Sequence, residues 1–459
     1  MMPGAVQAFP RSSEKNWLDR ALSIVTDVHP GEGVSALLLA ANVFSLLAFY
    51  SVLKIVRDSL ILAEAGAVAA SYASAGMALL LFAFVPAYSA FAARVNRLRL
   101  VCAVTLFFAS HLLMFYLLGA AGVRVGVAFY LWIGVFNMVA VAQFWAFAND
   151  LYTNERGKRL FPLIGVGASL GAVVGSGATV VFAGIGPYRL MLFAAAGFLI
   201  PVVLTIAVHR RERNASRDVA AAQAEQPLTK TGGFQLVFRE RYLFLIAMLV
   251  LIQSLVNTLG GFTLNTLIAS EALKAVVPGG LGTRAPTDAE TAAMKTLITT
   301  MSGGVQFSVN LLAFILQAFF VSRIFKYLGI RGALFILPVV ALGSYSMMAF
   351  VPILGIVRLA KILENSTDYS IQNTTRHALF LPTSRDAKYK AKQAIDAFFV
   401  RFGDLLQAVV VFVGVSLALG VRGFAIINIV FVAIWLLVAV AIAREHKRLV
   451  PVETEKKAA

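Results

Sequence analysis

Residues 425–442 read Ala-Ile-Ile-Asn-Ile-Val-Phe-Val-Ala-Ile-Trp-Leu-Leu-Val-Ala-Val-Ala-Ile, a run without a charged side chain. Residues 335–357 form another long apolar run, and 59% of the whole chain is hydrophobic while only 14% is charged. A helix needs about 20 apolar residues to cross the hydrocarbon core, whereas the strands of a membrane β-barrel alternate apolar and polar side chains. The sequence therefore predicts an all-α, polytopic membrane protein.

About twelve transmembrane helices are predicted, in two sets of six. Residues 209–240 lie between the sets and are too polar to span a membrane, so we interpret them as a cytoplasmic linker. The other predicted units are an N-terminal cytoplasmic segment (1–30), a first six-helix bundle (31–208), a second bundle (241–443) and a cytoplasmic tail (444–459). The spans are expected near 34–60, 68–93, 100–120, 125–150, 161–184, 188–208, 242–270, 298–322, 332–351, 353–375, 393–418 and 422–443.

The basic residues predict the orientation of these spans. Of the 40 Lys and Arg residues, 29 fall in segments that this arrangement places inside and 6 in segments that it places outside. Cytoplasmic loops carry such an excess, so we expect a bacterial inner (plasma) membrane protein with both termini in the cytoplasm. Residues 1–30 contain no apolar stretch, so no cleavable signal peptide is predicted. An anionic inner leaflet accounts for the net charge of +17, and a nucleic-acid partner is not expected.

The remaining basic residues lie within the predicted spans. A charge at the centre of a bilayer costs at least ~2.5–3.5 kcal/mol, so these side chains must face a wet or ion-paired interior. They are Lys54, Arg57, Arg358, Lys361 and Arg401.

The first span contains Lys54, Arg57 and Asp58. Spacings of three and four residues place all three on one helix face, where Asp58 is expected to pair with Lys54 one turn back. A positive face inside the membrane predicts an anion-binding site, and Arg57 offers a planar fork for phosphate or carboxylate. The alternative is that these side chains lie at a mouth of the bundle or neutralise one another.

The tenth span carries a polar stripe of Arg358, Lys361, Asn365, Asp368 and Gln372. Their steps of three and four residues align them along one helix face. This face is expected to line a cavity opposite the first span. The alternative is a buried ladder of salt bridges that holds the two halves together.

The start of the eleventh span alternates three lysines, Lys388, Lys390 and Lys392. They would attract anions to the cytoplasmic mouth, although a cytoplasmic loop is expected to be basic in any case. Asp396 and Asp404 follow on the same span as candidates for proton coupling.

The two halves share a repeated pattern of polar residues. The fourth span ends in Asn149 and Asp150, as the tenth ends in Asp368, and each is followed by a basic loop with a proline. A parallel repeat of this kind is typical of the major facilitator architecture, in which substrate binds near the midplane between the halves.

The glycines of the fifth span predict helix packing rather than nucleotide chemistry. Gly167, Gly171 and Gly175 have the small-xxx-small spacing that lets two helices approach closely. No strand precedes them and no Lys-Ser/Thr pair follows, so they do not form a P-loop. Since no metal-ligand spacing or catalytic motif is found either, we predict no metal, no cofactor and no enzyme activity.

Three stretches of the chain resemble the nucleotide transporters of the ATP/ADP translocase type, found in plastids and in intracellular bacteria. The first is Arg57-Asp58-Ser59-Leu60, and the second runs from Phe144-Trp145 to Asn149 and on through Lys158-Arg159 to Ala168. The third and most specific is Asn373-Thr-Thr-Arg376 to Pro382 with Lys388-Tyr-Lys390-Ala-Lys392-Gln-Ala-Ile-Asp396 and Arg401-Phe-Gly403. The resemblance implies twelve spans, a relationship to major facilitators and exchange of ATP for ADP.

The sequence departs from this family at positions that the resemblance links to the substrate. Arg57 stands where the family has a lysine, which keeps the charge but changes its geometry. Glu155 is one residue further from Lys158-Arg159 than the family's glutamate, and residues 250–270 lack the acidic residue expected in the seventh helix.

The function predicted is transport of a nucleotide such as ATP or ADP, or of a related anionic metabolite, by alternating access in a monomer. Two alternatives remain: a proton-coupled major facilitator for another metabolite or drug, and a non-transporting membrane sensor or assembly partner. The residues predicted to bind substrate are Lys54, Arg57, Asp58, Asn149, Glu155, Arg358, Lys361, Asp368 and Lys390, with Asp58, Asp396 and Asp404 as coupling candidates.

Overall fold

The computed structural model of the chain is helical, and no strand occurs in the part of the chain that it describes. The described residues are 15–23, 28–92, 95–152, 154–212, 233–282, 284–384 and 387–449.

Most helices of the first half are long and apolar. A lipid-embedded backbone must satisfy its polar groups internally, and helices do so within each segment. The helices of the first half are α1 (Trp17–Leu22), α2 (Gly33–Glu64), α3 (Gly66–Ala92), α4 (Arg97–Ala120), α5 (Gly126–Leu151), α6 (Asn154–Val181), α7 (Pro187–Gly197) and α8 (Leu199–Arg211).

The second half contains more interrupted helices, with π-helical turns at 316–320, 368–372, 387–391 and 395–399. Such turns are often found at functional sites. The helices are α9 (Gly233–Arg239), α10 (Arg241–Val276), α11 (Asp288–Ile315), α12 (Val321–Ala333), α13 (Ile336–Phe350), α14 (Leu354–Thr367), α15 (Asn373–Ala378), α16 (Lys392–Ala394), α17 (Val400–Ser416) and α18 (Val421–Leu449).

Ten helical segments of the described chain are long and apolar enough to cross a membrane. The all-α membrane fold is thereby confirmed. The predicted spans 332–351 and 353–375 correspond to α13, which is shorter, and to the polar α14 with its π-helical continuation. Phe198 interrupts the span predicted at 188–208 without ending it. The number twelve stays a prediction.

Two separate clusters of buried apolar side chains follow the two sets of helices. One is built from residues between Val28 and Val208. The other is built from residues between Leu236 and Ile442, together with a few from the end of α2 and the start of α3. The boundaries predicted for the two bundles remain a prediction.

Helices α2 and α6 lie against each other along the predicted glycine stripe. A Cβ atom on Gly167, Gly171 or Gly175 would come within 2.5, 2.2 or 2.0 Å of a backbone carbonyl oxygen of α2. Only glycine allows this approach, so the predicted backbone-to-backbone packing is confirmed.

A polar cluster ties together the ends of α2, α6 and α8. Arg159 donates two hydrogen bonds to Glu32, at 2.9 and 3.1 Å. Arg156 lies 3.0 Å from Glu212, which also accepts a hydrogen bond from Ser35. Burial alone would raise the pKa of Glu32, but hydrogen bonds from Arg159 and the His29 N–H and the charge of Arg156 lower that pKa below its usual value. The pKa of Glu212 is lowered in the same way: burial raises it, and Arg156 and Ser35 outweigh that effect.

These lowered pKa values predict that the cluster stabilises the fold at neutral pH and fails in acid. A carboxylate whose pKa is lower in the folded state contributes stability above its unfolded pKa and loses it as the pH falls through the folded pKa. We expect Glu32→Gln to reduce the free energy of unfolding by about 3–5 kcal/mol at pH 7. As the pH falls below 4.5 and through the lowered folded pKa of Glu32, the variant and the parent protein should approach each other in stability. Thermal melting in detergent at several pH values measures this difference.

The control is Glu271→Gln, because Glu271 pairs with Lys274 on the exposed surface. Exposed pairs contribute about 0–1 kcal/mol, so this substitution should change the melting temperature little at any pH. A loss of stability in Glu32→Gln that stays the same from pH 7 down to the pH of acid unfolding would contradict the assignment.

Candidate functional site

A polar cavity of about 210 Å³ lies between the two halves of the bundle. Helices α2, α3 and α5 contribute to it from the first half, and α10, α11, α14 and α17 from the second. Its lining includes the charged residues Lys54, Arg57, Asp58 and Lys361. Amide and hydroxyl side chains supply much of the rest, among them Asn257, Thr258, Asn265, Ser302, Gln306, Asn365 and Gln407.

The polar face of α2 lies at this cavity. Arg57 donates two hydrogen bonds to Asp58 Oδ1, at 2.8 and 2.6 Å, and its guanidinium lies 4.5 Å from the ring centre of Tyr130. The Lys54 ammonium is 3.5 Å from the Tyr369 hydroxyl, and no carboxylate of the described chain lies within salt-bridge distance of it. The predicted Lys54–Asp58 pair is therefore wrong, because Asp58 turns to its neighbour Arg57 instead.

The polar stripe of α14 divides into different environments. Lys361 is 1% exposed, and its ammonium lies 2.9 Å from Glu364 and 3.1 Å from the Asn257 carbonyl oxygen. Tyr345 donates to the same Glu364 oxygen at 2.8 Å. Although Lys361 borders the cavity, its charge is compensated by the buried ion pair with Glu364 and not by a group in the cavity. This salt bridge lies within α14 and does not join the two halves.

Asp368 lies in the π-helical turn after α14 and is held by neutral groups. It accepts hydrogen bonds from the side-chain amides of Gln253 and Asn257. Asn257 also donates to Asn365 at 3.2 Å, and Gln372 donates to Gln253 at 3.2 Å. This amide network joins α10 to α14 beside the cavity.

The remaining predicted residues lie elsewhere. Asp404 pairs with Arg401 at 3.1 Å, and Asp396 pairs with Lys392 at 3.0 Å. Asn149 is exposed at the end of α5, and the side chain of Glu155 is outside the described residues. None of the following residues is among the described lining of the cavity: Asn149, Arg358, Asp368, Lys390, Asp396 and Asp404.

Sequence reasoning missed several residues around the cavity. Glu364 follows Lys361 by three residues and neutralises it, yet it was left out of the predicted stripe. Tyr130 and Tyr369 contact the two basic residues of α2 from distant parts of the chain. The spacing of Glu364 could have been noticed, whereas contacts between distant helices leave no local signal.

An ion pair lies between the C-terminal end of α2 and the N-terminal part of α11. Lys295 of α11 lies 2.6 Å from Glu64 of α2, and the two side chains are 12% and 4% exposed. Tyr188 donates to Glu64 at 3.2 Å, and the Gly126 N–H donates to its other oxygen at 2.7 Å. This cluster, the Glu64–Lys295 gate, joins the two halves.

A family model described as TLC ATP/ADP transporter matches residues 313–446. The ADP,ATP carrier protein 1 of Chlamydia pneumoniae is 23% identical over 359 aligned residues, which cover 68% of this chain and 65% of that carrier. The protein of the same name from Chlamydia trachomatis is also 23% identical and is covered over 53% of its length. The chain thus matches between half and two thirds of the length of these carriers.

Solved transporters share the fold over nearly their whole length. The nucleoside transporter NupG superposes with a TM-score of 0.57 at 16% identity, covering 89% of this chain and 98% of that one. A bacterial homologue of the iron transporter ferroportin superposes with a TM-score of 0.59 at 11% identity, with the same coverage. These likenesses establish a major facilitator-like transporter fold. This chain is therefore a multi-pass membrane protein similar in sequence to ATP/ADP transporters, as its sequence motifs predicted.

Proposed function

We propose that this protein carries nucleotides across the bacterial inner membrane by alternating access, with both termini in the cytoplasm and a monomer as the working unit. The observation that carries the proposal is the ammonium of Lys54, which faces a cavity between the two halves without a carboxylate partner among the described residues. A charge within a membrane span requires a partner, and an anionic substrate supplies one.

The other lining groups support a nucleotide. Tyr130 and Tyr369 offer aromatic faces beside Arg57 and Lys54. The amides and hydroxyls of the cavity can donate to and accept from a base and a ribose. The relationship to proteins named ADP,ATP carriers points to the same class of substrate.

Counterflow in liposomes tests the proposal. The purified protein is reconstituted with an internal nucleotide, and uptake of radiolabelled AMP, ADP and ATP is followed. We expect uptake of at least one nucleotide, at least about tenfold above protein-free liposomes, and competition by excess unlabelled nucleotide. Absence of uptake and of exchange for all three would refute the proposal.

Asp368 favours a second candidate, a proton-coupled transporter of another metabolite. Its carboxylate is held by neutral amides, and no basic group of the described chain lies within salt-bridge distance of it. A carboxyl group in such surroundings can bind and release a proton. Asp58, Asp396 and Asp404 are the other coupling candidates. Loss of uptake when an imposed pH gradient is dissipated would favour this candidate.

A further inference from the structure

We infer that the preferred substrate is a nucleoside monophosphate and not a nucleoside triphosphate, an inference that rests on the proposed function. It follows from the balance of ionisable side chains inside the bundle. The described lining of the cavity holds three basic residues, Lys54, Arg57 and Lys361, and one acidic residue, Asp58. Glu364 contacts Lys361 and compensates its charge, which leaves one positive charge.

Most of these charges are already paired. Arg57 contacts Asp58 at 2.6 Å, and Lys361 contacts Glu364 at 2.9 Å. Of the lining residues, only Lys54 among the described side chains keeps a cation that no carboxylate contacts. The cavity therefore presents one uncompensated positive charge to a ligand.

A phosphate monoester carries about −1.5 to −2 charges at pH 7, and a triphosphate roughly twice that. With one positive charge available, a monophosphate leaves up to about one negative charge unbalanced, whereas a triphosphate leaves about two to three. Unbalanced charge is costly in a medium of low dielectric constant, and the cost rises steeply with its amount.

The neutral lining suits the uncharged part of such a ligand. Asn265, Gln306 and Asn365 each offer both a donor and an acceptor, and Thr258 and Ser302 add hydroxyl groups. These groups outnumber the cations, as expected for a small anionic group attached to a larger neutral polar one. A nucleoside monophosphate has this composition.

Calorimetric titration of the purified full-length protein in detergent tests the inference. AMP, ADP and ATP are titrated in EDTA, and again with Mg²⁺, which neutralises part of the triphosphate charge. In EDTA we expect AMP to bind at least about tenfold more tightly than ATP, and added Mg²⁺ to narrow the difference. Binding of ATP in EDTA at least as tight as that of AMP would overturn the inference while leaving nucleotide transport in place.

Two smaller ligands separate the contribution of the phosphate to binding from that of the base. Adenosine lacks the charge and ribose 5-phosphate lacks the base, so each should bind at least about tenfold more weakly than AMP. If adenosine or ribose 5-phosphate binds as tightly as AMP, the preference for a nucleoside monophosphate is overturned. If no nucleotide binds and none is exchanged in liposomes, the proposed function falls, and this inference falls with it.

A change in cavity charge provides an independent test. Asp58→Asn frees Arg57 and adds one positive charge, so the ratio of AMP to ADP affinity should shift toward ADP by about tenfold. Glu271→Gln makes the same charge change at the exposed end of α10 and should leave the ratio unaltered. An unchanged ratio in Asp58→Asn would overturn the inference, and the titration of the parent protein decides the question even if this variant does not fold.

Discussion

Replacing Lys54 by methionine is expected to lower nucleotide uptake by about one hundredfold while the protein still folds. Methionine keeps the length and apolar stem of the side chain but removes the ammonium. The partners that Lys54 would lose are the Tyr369 hydroxyl at 3.5 Å and the Tyr369 ring at 5.7 Å, both weak contacts. The fold therefore depends little on this charge, whereas an anionic ligand in the cavity depends on it strongly.

The size of the effect follows from the surroundings of the ammonium. A hydrogen bond to a charged group contributes about 1.5–3 kcal/mol, which corresponds to a factor of about 10 to 150 in binding. Since the ligand of Lys54→Met would also lie beside an interior without net positive charge, we expect the upper part of this range. Initial uptake rates and nucleotide affinities of the two proteins measure it.

Two further variants test whether the effect is specific to the charge of Lys54. Lys54→Arg keeps the charge and should retain part of the activity. Lys274→Met removes a cation at the exposed end of α10, where Lys274 is 68% exposed, and should transport normally. Normal uptake by Lys54→Met, or an equal loss in Lys274→Met, would contradict the role of Lys54.

The position of Lys54 illustrates how much of the site the sequence could predict. Long apolar runs specify spanning helices because the bilayer offers no partner for an open backbone. A lysine within such a run must face inward because of the cost of its charge, so its location at the cavity was predictable. The glycine stripe of α6 was predictable for the same local reason.

The ion-pair partners of the charged residues were less predictable than the positions of these residues in the bundle. Asp58 can reach Lys54 one turn back or its neighbour Arg57, and the choice depends on side-chain packing against Tyr130 of another helix. Glu364 lies as close in sequence to Lys361 as the residues of the predicted stripe do, and Tyr345 from α13 helps to hold it in the buried pair. The local spacing allows each of these pairs, and contacts with another helix decide which pair forms.

Neutralising the Glu64–Lys295 gate is expected to open the end of the cavity that it closes. Glu64 belongs to the first half and Lys295 to the second, so the pair must separate whenever alternating access exposes the cavity at this end. Breaking a largely buried ion pair costs about 3–5 kcal/mol in the state that contains it. Glu64→Gln should therefore shift the population toward the open state, because the Gly126 N–H keeps an acceptor while the attraction to Lys295 is lost.

A single cysteine in the cavity reports this opening. Cys102 is the only cysteine of the sequence, so Cys102→Ser gives a background in which Asn265→Cys lines the cavity alone. A membrane-impermeant maleimide added from outside should label this cysteine at least about tenfold faster when Glu64→Gln is also present. Glu271→Gln, an equal change of charge in an exposed pair, should leave the labelling rate unchanged. If Glu64→Gln does not accelerate labelling, the ion pair does not hold this end closed. The closure must then come from the apolar contacts between α2, α6 and α11, such as the close approach of α11 at Gly303 to Val180 and Ile55.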